Sequence, residues 1–247
     1  MVLSDYFFEE RQGLLLLSLK KPQDCEEAAK KLIYANTDGK TALFLSGGST
    51  PKRLYEIFAE DGSLSVGAVG MVDERYGKKW HETSNEKMVK ETGLLDHLAS
   101  KQVLFYPILS GRKIDEETEN YDETLHYLLS YFPKSLAIMG IGADGHTAGL
   151  PAIPSVCSGI LNNPSALAVS YSDPKKYGDR ITMTFLALSR IDILILLVLG
   201  TEKREALKQM FDPSTGSGQA AIEEIPARFY LRPEIAKKTV LITDQKI

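Results

Sequence analysis

Short, mostly apolar, β-rich runs separated by longer amphipathic stretches constrain this chain more than any other feature. Such runs occur at residues 41–45, 66–72, 136–141, 193–199 and 239–243, with a further candidate at 14–19. Between them, apolar residues recur at spacings of three and four, which predicts helices at 23–34, 51–58, 85–92, 116–131 and 202–210. Leu125, Leu128, Leu129 and Phe132 show that spacing best. Strands alternating with helices imply an α/β fold in which crossover helices cover both faces of a mainly parallel sheet. With 247 residues the expectation is one domain, 1–247.

Composition removes several function classes. Lys and Arg total 29 against 33 acidic residues, so a chain-wide basic surface for nucleic acid is not expected and any anion site must be local. Cys25 and Cys157 are too few for a disulfide framework and lack metal-motif spacing, which fits a reducing cytoplasm. The apolar run Leu14-Leu15-Leu16-Leu17 is far too short to span a membrane. No membrane partner is expected. The oligomeric state is left open, with a monomer as the default. The loop 212–218 is the most turn-rich stretch, suited to a mobile segment or the rim of a site.

Three segments carry chemistry. In Leu43-Phe44-Leu45-Ser46-Gly47-Gly48-Ser49-Thr50-Pro51 a buried-type strand runs into two glycines, two hydroxyls and a proline suited to a first helical turn. Gly47 and Gly48 would let backbone N–H groups approach an anion, Ser49 and Thr50 would add hydroxyl donors, and the helix N-terminus is partly positive. A plain tight turn with an N-cap has the same appearance, and no Walker Gly-Lys-Ser/Thr follows. In Met71-Val72-Asp73-Glu74-Arg75 an apolar strand ends in two acids and a base. Arg75 could pair with phosphate, or neutralise Asp73 or Glu74.

The third segment, Ile138-Met139-Gly140-Ile141-Gly142-Ala143-Asp144-Gly145-His146-Thr147-Ala148-Gly149, is a strand that dissolves into glycines around an acid and an imidazole. A carboxylate holding one ring nitrogen leaves the other free to take a proton, the requirement for activating water. The other histidines, His81, His97 and His126, lack this framing and are expected at the surface. Gly140, Gly142 and Gly145 also spell Gly-x-Gly-x-x-Gly. That fingerprint should open a long helix, yet Pro151 and Pro154 follow closely, so no nicotinamide cofactor is expected. Arg180, in Asp179-Arg180-Ile181-Thr182-Met183-Thr184, and Lys203, in Gly200-Thr201-Glu202-Lys203, complete the candidate basic groups.

Taken in order, Ser46-Gly47-Gly48-Ser49-Thr50-Pro51, Val72-Asp73-Glu74-Arg75, Ser84-Asn85, the 140–148 loop, Arg180-Ile181-Thr182-Met183-Thr184 and Gly200-Thr201-Glu202-Lys203 resemble the 6-phosphogluconolactonase family. This family belongs to a larger group that includes glucosamine-6-phosphate deaminases and isomerases. The resemblance implies a Rossmann-like, doubly wound fold, a small phosphorylated sugar lactone as substrate, and neither a metal nor an organic cofactor. It implies His146 as general base, Arg75 in the same pocket, and phosphate held by Ser49, Thr50, Arg180 and Lys203; Asp144 is expected to orient and support the imidazole. Gly47, Gly48 and Asp73 complete the expected substrate-binding set.

Deaminases resemble this pattern too, but carry Asp-Glu-Tyr where this chain has Asp73-Glu74-Arg75, and Asn-Glu-Pro after their Asp-Gly-His. Here Gly149-Leu150-Pro151 follows, leaving the deaminase's acidic helper without a match. Lactonases usually continue through Ser-Leu-Phe-Pro, so Gly149-Leu150-Pro151-Ala152 also lacks an aromatic beside the histidine. The expectation is hydrolysis of 6-phosphogluconolactone, with amino-sugar phosphate deamination or non-catalytic sugar-phosphate sensing as the rivals.

Overall fold

The computed structural model describes residues 4–215 and 218–247. From the N-terminus come β1 (Glu9–Arg11), β2 (Leu14–Ser18), α1 (Pro22–Asn36), β3 (Thr41–Leu45), α2 (Ser49–Asp61), β4 (Ala68–Met71) and β5 (Asp73–Arg75). Next are α3 (Asn85–Glu91), α4 (Leu94–Ser100), β6 (Leu104–Tyr106), α5 (Ile114–Tyr131), β7 (Lys134–Met139) and α6 (Pro154–Leu161). The chain continues through β8 (Ala168–Asp173), β9 (Gly178–Met183), α7 (Phe185–Arg190), β10 (Ile193–Val198) and α8 (Arg204–Phe211). It closes with α9 (Gln219–Glu224), α10 (Pro233–Ala236) and β11 (Thr239–Thr243).

Among the described residues eight strands form one sheet in the order β1-β2-β11-β10-β7-β3-β4-β6, parallel except where β1 pairs with β2. Strands β3, β10 and β11 are buried at every residue, as unbroken apolar runs require when helices cover a parallel sheet. From β3 the chain moves outward to β4 and β6. It then crosses back to β7 on the other side of β3 and continues outward to β10 and β11. The connections leaving β3 and β7 therefore diverge. This opens a crevice at their C-terminal ends, the topological switch point where such sheets bind ligands. Both glycine-rich segments emerge there.

The run at 66–72 is shorter as a strand than expected, for a physical reason. Val72 still donates its N–H to Leu45 O at 2.9 Å, but its carbonyl accepts from Met183 N at 2.9 Å, so the backbone passes from the large sheet to a second one. That second sheet, order β5-β9-β8, is antiparallel. The expected 202–210 helix begins as a tight 3-10 turn at Thr201–Lys203 before α8. Of the turn-rich 212–218 stretch, Pro213–Thr215 form a further 3-10 turn, and residues 216–217 lie outside the described residues. Cys25 and Cys157 are buried, unpaired, and pushed up to about 12 chiefly by burial, so neither is a ready nucleophile. Among the described residues no helix is long and apolar enough to cross a membrane.

Two buried carboxylates fasten the region behind the crevice. Glu74 accepts from Ser84 Oγ (2.7 Å), Asn85 N (2.8 Å) and Glu86 N (2.8 Å), placing its charge against the N-terminal turn of α3. Glu86 accepts from Ile108 N and Leu109 N through Oε1, while its buried Oε2 has no partner. Burial, assisted by the Glu74 charge and opposed by those two N–H groups, pushes Glu86 from 4.5 up to about 7. A carboxyl raised on folding holds its proton in the folded state after the unfolded chain has released it. The stabilising term is therefore whole below pH 4.5 and lost as pH rises through about 7. Glu86→Gln keeps a neutral acceptor for the same N–H groups. The variant is expected to match the wild type at low pH and to be more stable at pH above 7 by on the order of 1–3 kcal/mol, read from urea midpoints. Parallel pH profiles of the two proteins would refute it.

Candidate active site

The cradle after β3 has the shape its composition suggests. Gly48 caps α2 with φ 95°, a conformation suited to glycine, and α2 starts at Ser49, so Ser49 and Thr50 lie in its first turn beside unpaired N–H groups. A Cβ on Gly47 would sit 1.8 Å from the Asn85 side chain, so this glycine admits Asn85, whose Nδ2 donates to Asp73 O at 3.0 Å. Tyr55, fully buried, holds the strand end by donating to Ser46 O at 2.9 Å.

The small sheet supplies cations. Arg75 on β5 lies directly opposite Arg180 on β9, and Tyr171 on β8 is opposite Arg180 on the other side. Directly opposed residues share a face. Two like charges side by side are unfavourable, and only partial compensation is present: Asp73 Oδ2 lies 3.7 Å from Arg180 Nη1. Arg180 is held below the usual guanidinium range, first by burial and then by Arg75, with Asp73 opposing. Arg75 pairs with neither Asp73 nor Glu74 as the ion-pair alternative would have it; its Nη1 donates to Thr83 O at 2.6 Å, and its buried Nε has no partner. A cleft face with two opposed guanidinium groups is built for an anion.

The loop after β7 folds around its histidine. Gly142 N donates to His146 O at 2.8 Å and Gly145 N to Gly142 O at 3.0 Å, with Gly145 at φ +83°. A Cβ on Gly142 would meet His146 Nδ1 at 2.0 Å and Asp144 Oδ1 at 2.8 Å, so the imidazole and carboxylate lie directly over that glycine. His146 Nδ1 is 2.5 Å from Asp144 Oδ1. Nε2 makes no hydrogen bond among the described residues. Lys176 and Tyr177, from the turn between β8 and β9, donate to Asp144 Oδ2. Burial alone would raise Asp144, but donation from His146, Lys176 and Tyr177 outweighs it and holds the carboxyl well below its usual range. Asp144 therefore stays ionised and accepts from Nδ1, which leaves the lone pair on Nε2. The Gly-x-Gly-x-x-Gly loop opens no helix; the next one starts only at Pro154.

These pieces line one cleft of about 260 Å³ that contains Gly47, Gly48, Ser49, Thr50, Asp73, Arg75, His146, Arg180 and Lys203. That volume is just below the roughly 300–1,000 Å³ usual for small-molecule sites and suits a compact polar ligand. Asp144 stands behind His146 rather than in the lining. Lys203 is half-buried in its 3-10 turn; its N–H donates to Gly200 O at 3.1 Å, while its side chain makes no ion pair or hydrogen bond among the described residues. Among those residues, no group of three His, Cys, Asp or Glu side chains is placed to hold a metal ion.

Sequence reasoning passed over Asn85 as a site residue and missed Tyr171, Lys176 and Tyr177 altogether. It also misplaced His81, which is half-buried with Nε2 2.8 Å from Arg75 O, while His97 is half-buried and only His126 is exposed. The aromatic absent from 149–152 is supplied from elsewhere. The Tyr177 ring stands edge-on to His146, 5.6 Å between centroids, and its hydroxyl accepts from Ala152 N at 3.3 Å.

Fold and cleft together define a Rossmann-like α/β protein whose candidate site lies at the switch point of a mainly parallel sheet. The chain belongs to the glucosamine-6-phosphate isomerases/6-phosphogluconolactonase family, which it matches over residues 20–240. It is 28% identical to a 6-phosphogluconolactonase of Caulobacter vibrioides over 87% of this chain and 91% of that relative. It is 33% identical to one of Xylella fastidiosa over 69% of this chain and 71% of the other. The fold matches the crystal structure of a 6-phosphogluconolactonase from Shewanella baltica with a TM-score of 0.76 at 23% identity, covering 93% of this chain and 96% of that one. A 6-phosphogluconolactonase from Plasmodium vivax superposes with the same TM-score of 0.76 at 20% identity, covering 96% and 91% respectively.

Proposed function

We propose that this chain hydrolyses 6-phosphogluconolactone to 6-phosphogluconate, with His146 as the general base. The observation that carries this reading is the Asp144-backed imidazole, Nδ1 2.5 Å from the carboxylate, in the same cleft as Arg75, Arg180 and Lys203. A phosphate in the Gly47–Thr50 cradle, gripped by Arg180 and Lys203, anchors the substrate by the end that does not react. Anchoring fixes the lactone carbonyl relative to His146 and converts attack by water into a step within one complex.

Nε2 takes a proton from water as the oxygen bonds to the carbonyl carbon. The imidazolium is stabilised by the ionised Asp144. The carbonyl oxygen becomes an oxyanion for which Arg75 and backbone N–H groups of the glycine loops are the available donors. Collapse breaks the ring C–O bond, and the departing alkoxide takes the proton back from the imidazolium. The product is an open-chain acid with a free hydroxyl, and the phosphate is untouched. Water is the one co-reactant consumed.

The deaminase rival needs a further acid beside the histidine. Among the described residues the lining holds one acid, Asp73, engaged with Arg180, and Asp144 behind the lining is engaged with His146. The test is a paired assay of 6-phosphogluconolactone hydrolysis, corrected for spontaneous opening, and ammonia release from glucosamine 6-phosphate. Lactone hydrolysis without ammonia is the expected result. Ammonia without lactonase activity would overturn the proposal.

A further inference from the structure

We infer that Tyr177 is a positioning residue that holds the Asp144–His146 pair and Arg180 in one fixed arrangement; this rests on the functional reading above. Its two ends serve two parts of the cleft. The phenol donates to Asp144 Oδ2, on the carboxylate oxygen opposite the one that meets His146. The carbonyl accepts from Arg180 Nε at 2.6 Å. One residue thus bridges the proton-accepting pair and a guanidinium that faces the proposed phosphate. The ring adds a third contact, standing at 84° to the imidazole of His146.

The turn that carries Tyr177 is itself pinned. Asp173 and Gly178 close the β8–β9 ladder, and Asp173 accepts from Lys175 N at 3.2 Å and from Tyr177 N at 3.1 Å. Gly178 follows at φ +68°, which lets the chain turn back into β9 directly after Tyr177. The backbone of Tyr177 is therefore set by its own hairpin, and the side chain carries that placement to Asp144.

Two donors reach Asp144 Oδ2, and exposure separates them. The Lys176 side chain is 56% exposed, so water screens its pair and competes for it. Tyr177 is 8% exposed, so its hydroxyl bond lies in a drier setting where a lost donor is felt. Tyr177, rather than Lys176, sets the carboxylate's orientation. A carboxylate free to rotate would present either oxygen to Nδ1, or neither, and the lone pair would no longer be confined to Nε2.

The test removes the hydroxyl alone. Tyr177→Phe keeps the ring against His146 and the carbonyl for Arg180. Turnover is expected to fall by roughly tenfold, the scale of one hydrogen bond to a charged group, with KM within about twofold of wild type. In an Asp144→Asn background the Tyr177→Phe change should cost less than about twofold, because the residue acts through Asp144. A kcat unchanged in Tyr177→Phe, a loss confined to KM, or an equal loss with and without Asp144 would overturn the inference.

A readout independent of turnover is the ring nitrogen shifts of His146 in labelled protein at alkaline pH. Wild type should show the Nδ1–H tautomer alone and Tyr177→Phe a mixture of both. Identical spectra would defeat the inference even if the wild type proved to have another substrate. A wild type that opens no lactone while the spectra differ would defeat the functional reading and leave the positioning role standing.

Discussion

His146→Asn is expected to yield a folded protein that still binds 6-phosphogluconate and turns over the lactone at least about two orders of magnitude more slowly, the usual scale for a general base. The substitution is well suited to the site. The imidazole lies over Gly142 with no side chain beneath it, so a smaller residue meets no obstruction there. The asparagine amide can still donate toward Asp144, which would otherwise lose one of its three side-chain donors. What is lost is a proton acceptor at the Nε2 position. Product affinity separates the readings: the proposed phosphate contacts from Arg180, Lys203 and the α2 turn are untouched, so binding of 6-phosphogluconate by calorimetry should persist. A variant hydrolysing the lactone near the wild-type rate would eliminate His146 as the base. One that lost product binding along with turnover would point to a binding role for the ring instead.

The division between what was legible in the sequence and what was not follows from interaction range. Strands β3, β10 and β11 are apolar at nearly every position and buried throughout, so their placement followed from composition within a short window. Strand β5 is Asp73-Glu74-Arg75, three charged residues with no apolar alternation. It becomes a strand only because β9 pairs with it from more than a hundred positions away in the chain. Tertiary pairing overrode local preference there. The cradle and the histidine loop were visible because glycines mark close approach, and the contacts a Cβ would make at Gly47 and Gly142 give the reason in atoms. Tyr177 carried no such mark. In Pro174-Lys175-Lys176-Tyr177-Gly178 it looks like any polar hairpin tip, and its contact with Asp144 spans 33 positions. A greater separation in the chain hid the role of Asp73: adjacent in sequence to Glu74, it pairs across to Arg180, while Glu74 is drawn to α3.

Phosphate selectivity should be lost in a graded way when the cations of the cleft are removed. Lys203 is the cleaner probe, being half-buried in its turn with no ion pair among the described residues, so Lys203→Ala disturbs little else. A charge-assisted hydrogen bond to phosphate is worth roughly 1.5–3 kcal/mol, so kcat/KM for the phosphorylated lactone should drop by about tenfold to a hundredfold. The unphosphorylated lactone, lacking the group that Lys203 would meet, should be hydrolysed almost as before. Arg180 is different, because Asp73 is 6% exposed and has Arg180 as its ion-pair partner. Arg180→Ala strands that carboxylate and is expected to lower stability as well as selectivity. Arg180→Lys keeps a cation near Asp73 but cannot offer a planar fork, so it should stay folded and still lose selectivity for the phosphate. The deciding quantity is the ratio of kcat/KM for phosphorylated over unphosphorylated gluconolactone in each variant, with folding followed by circular dichroism. A ratio equal to wild type in both Lys203→Ala and Arg180→Lys would remove these two residues from the phosphate site. The N-terminal turn of α2, with Ser49 and Thr50, would then be left to hold the anion.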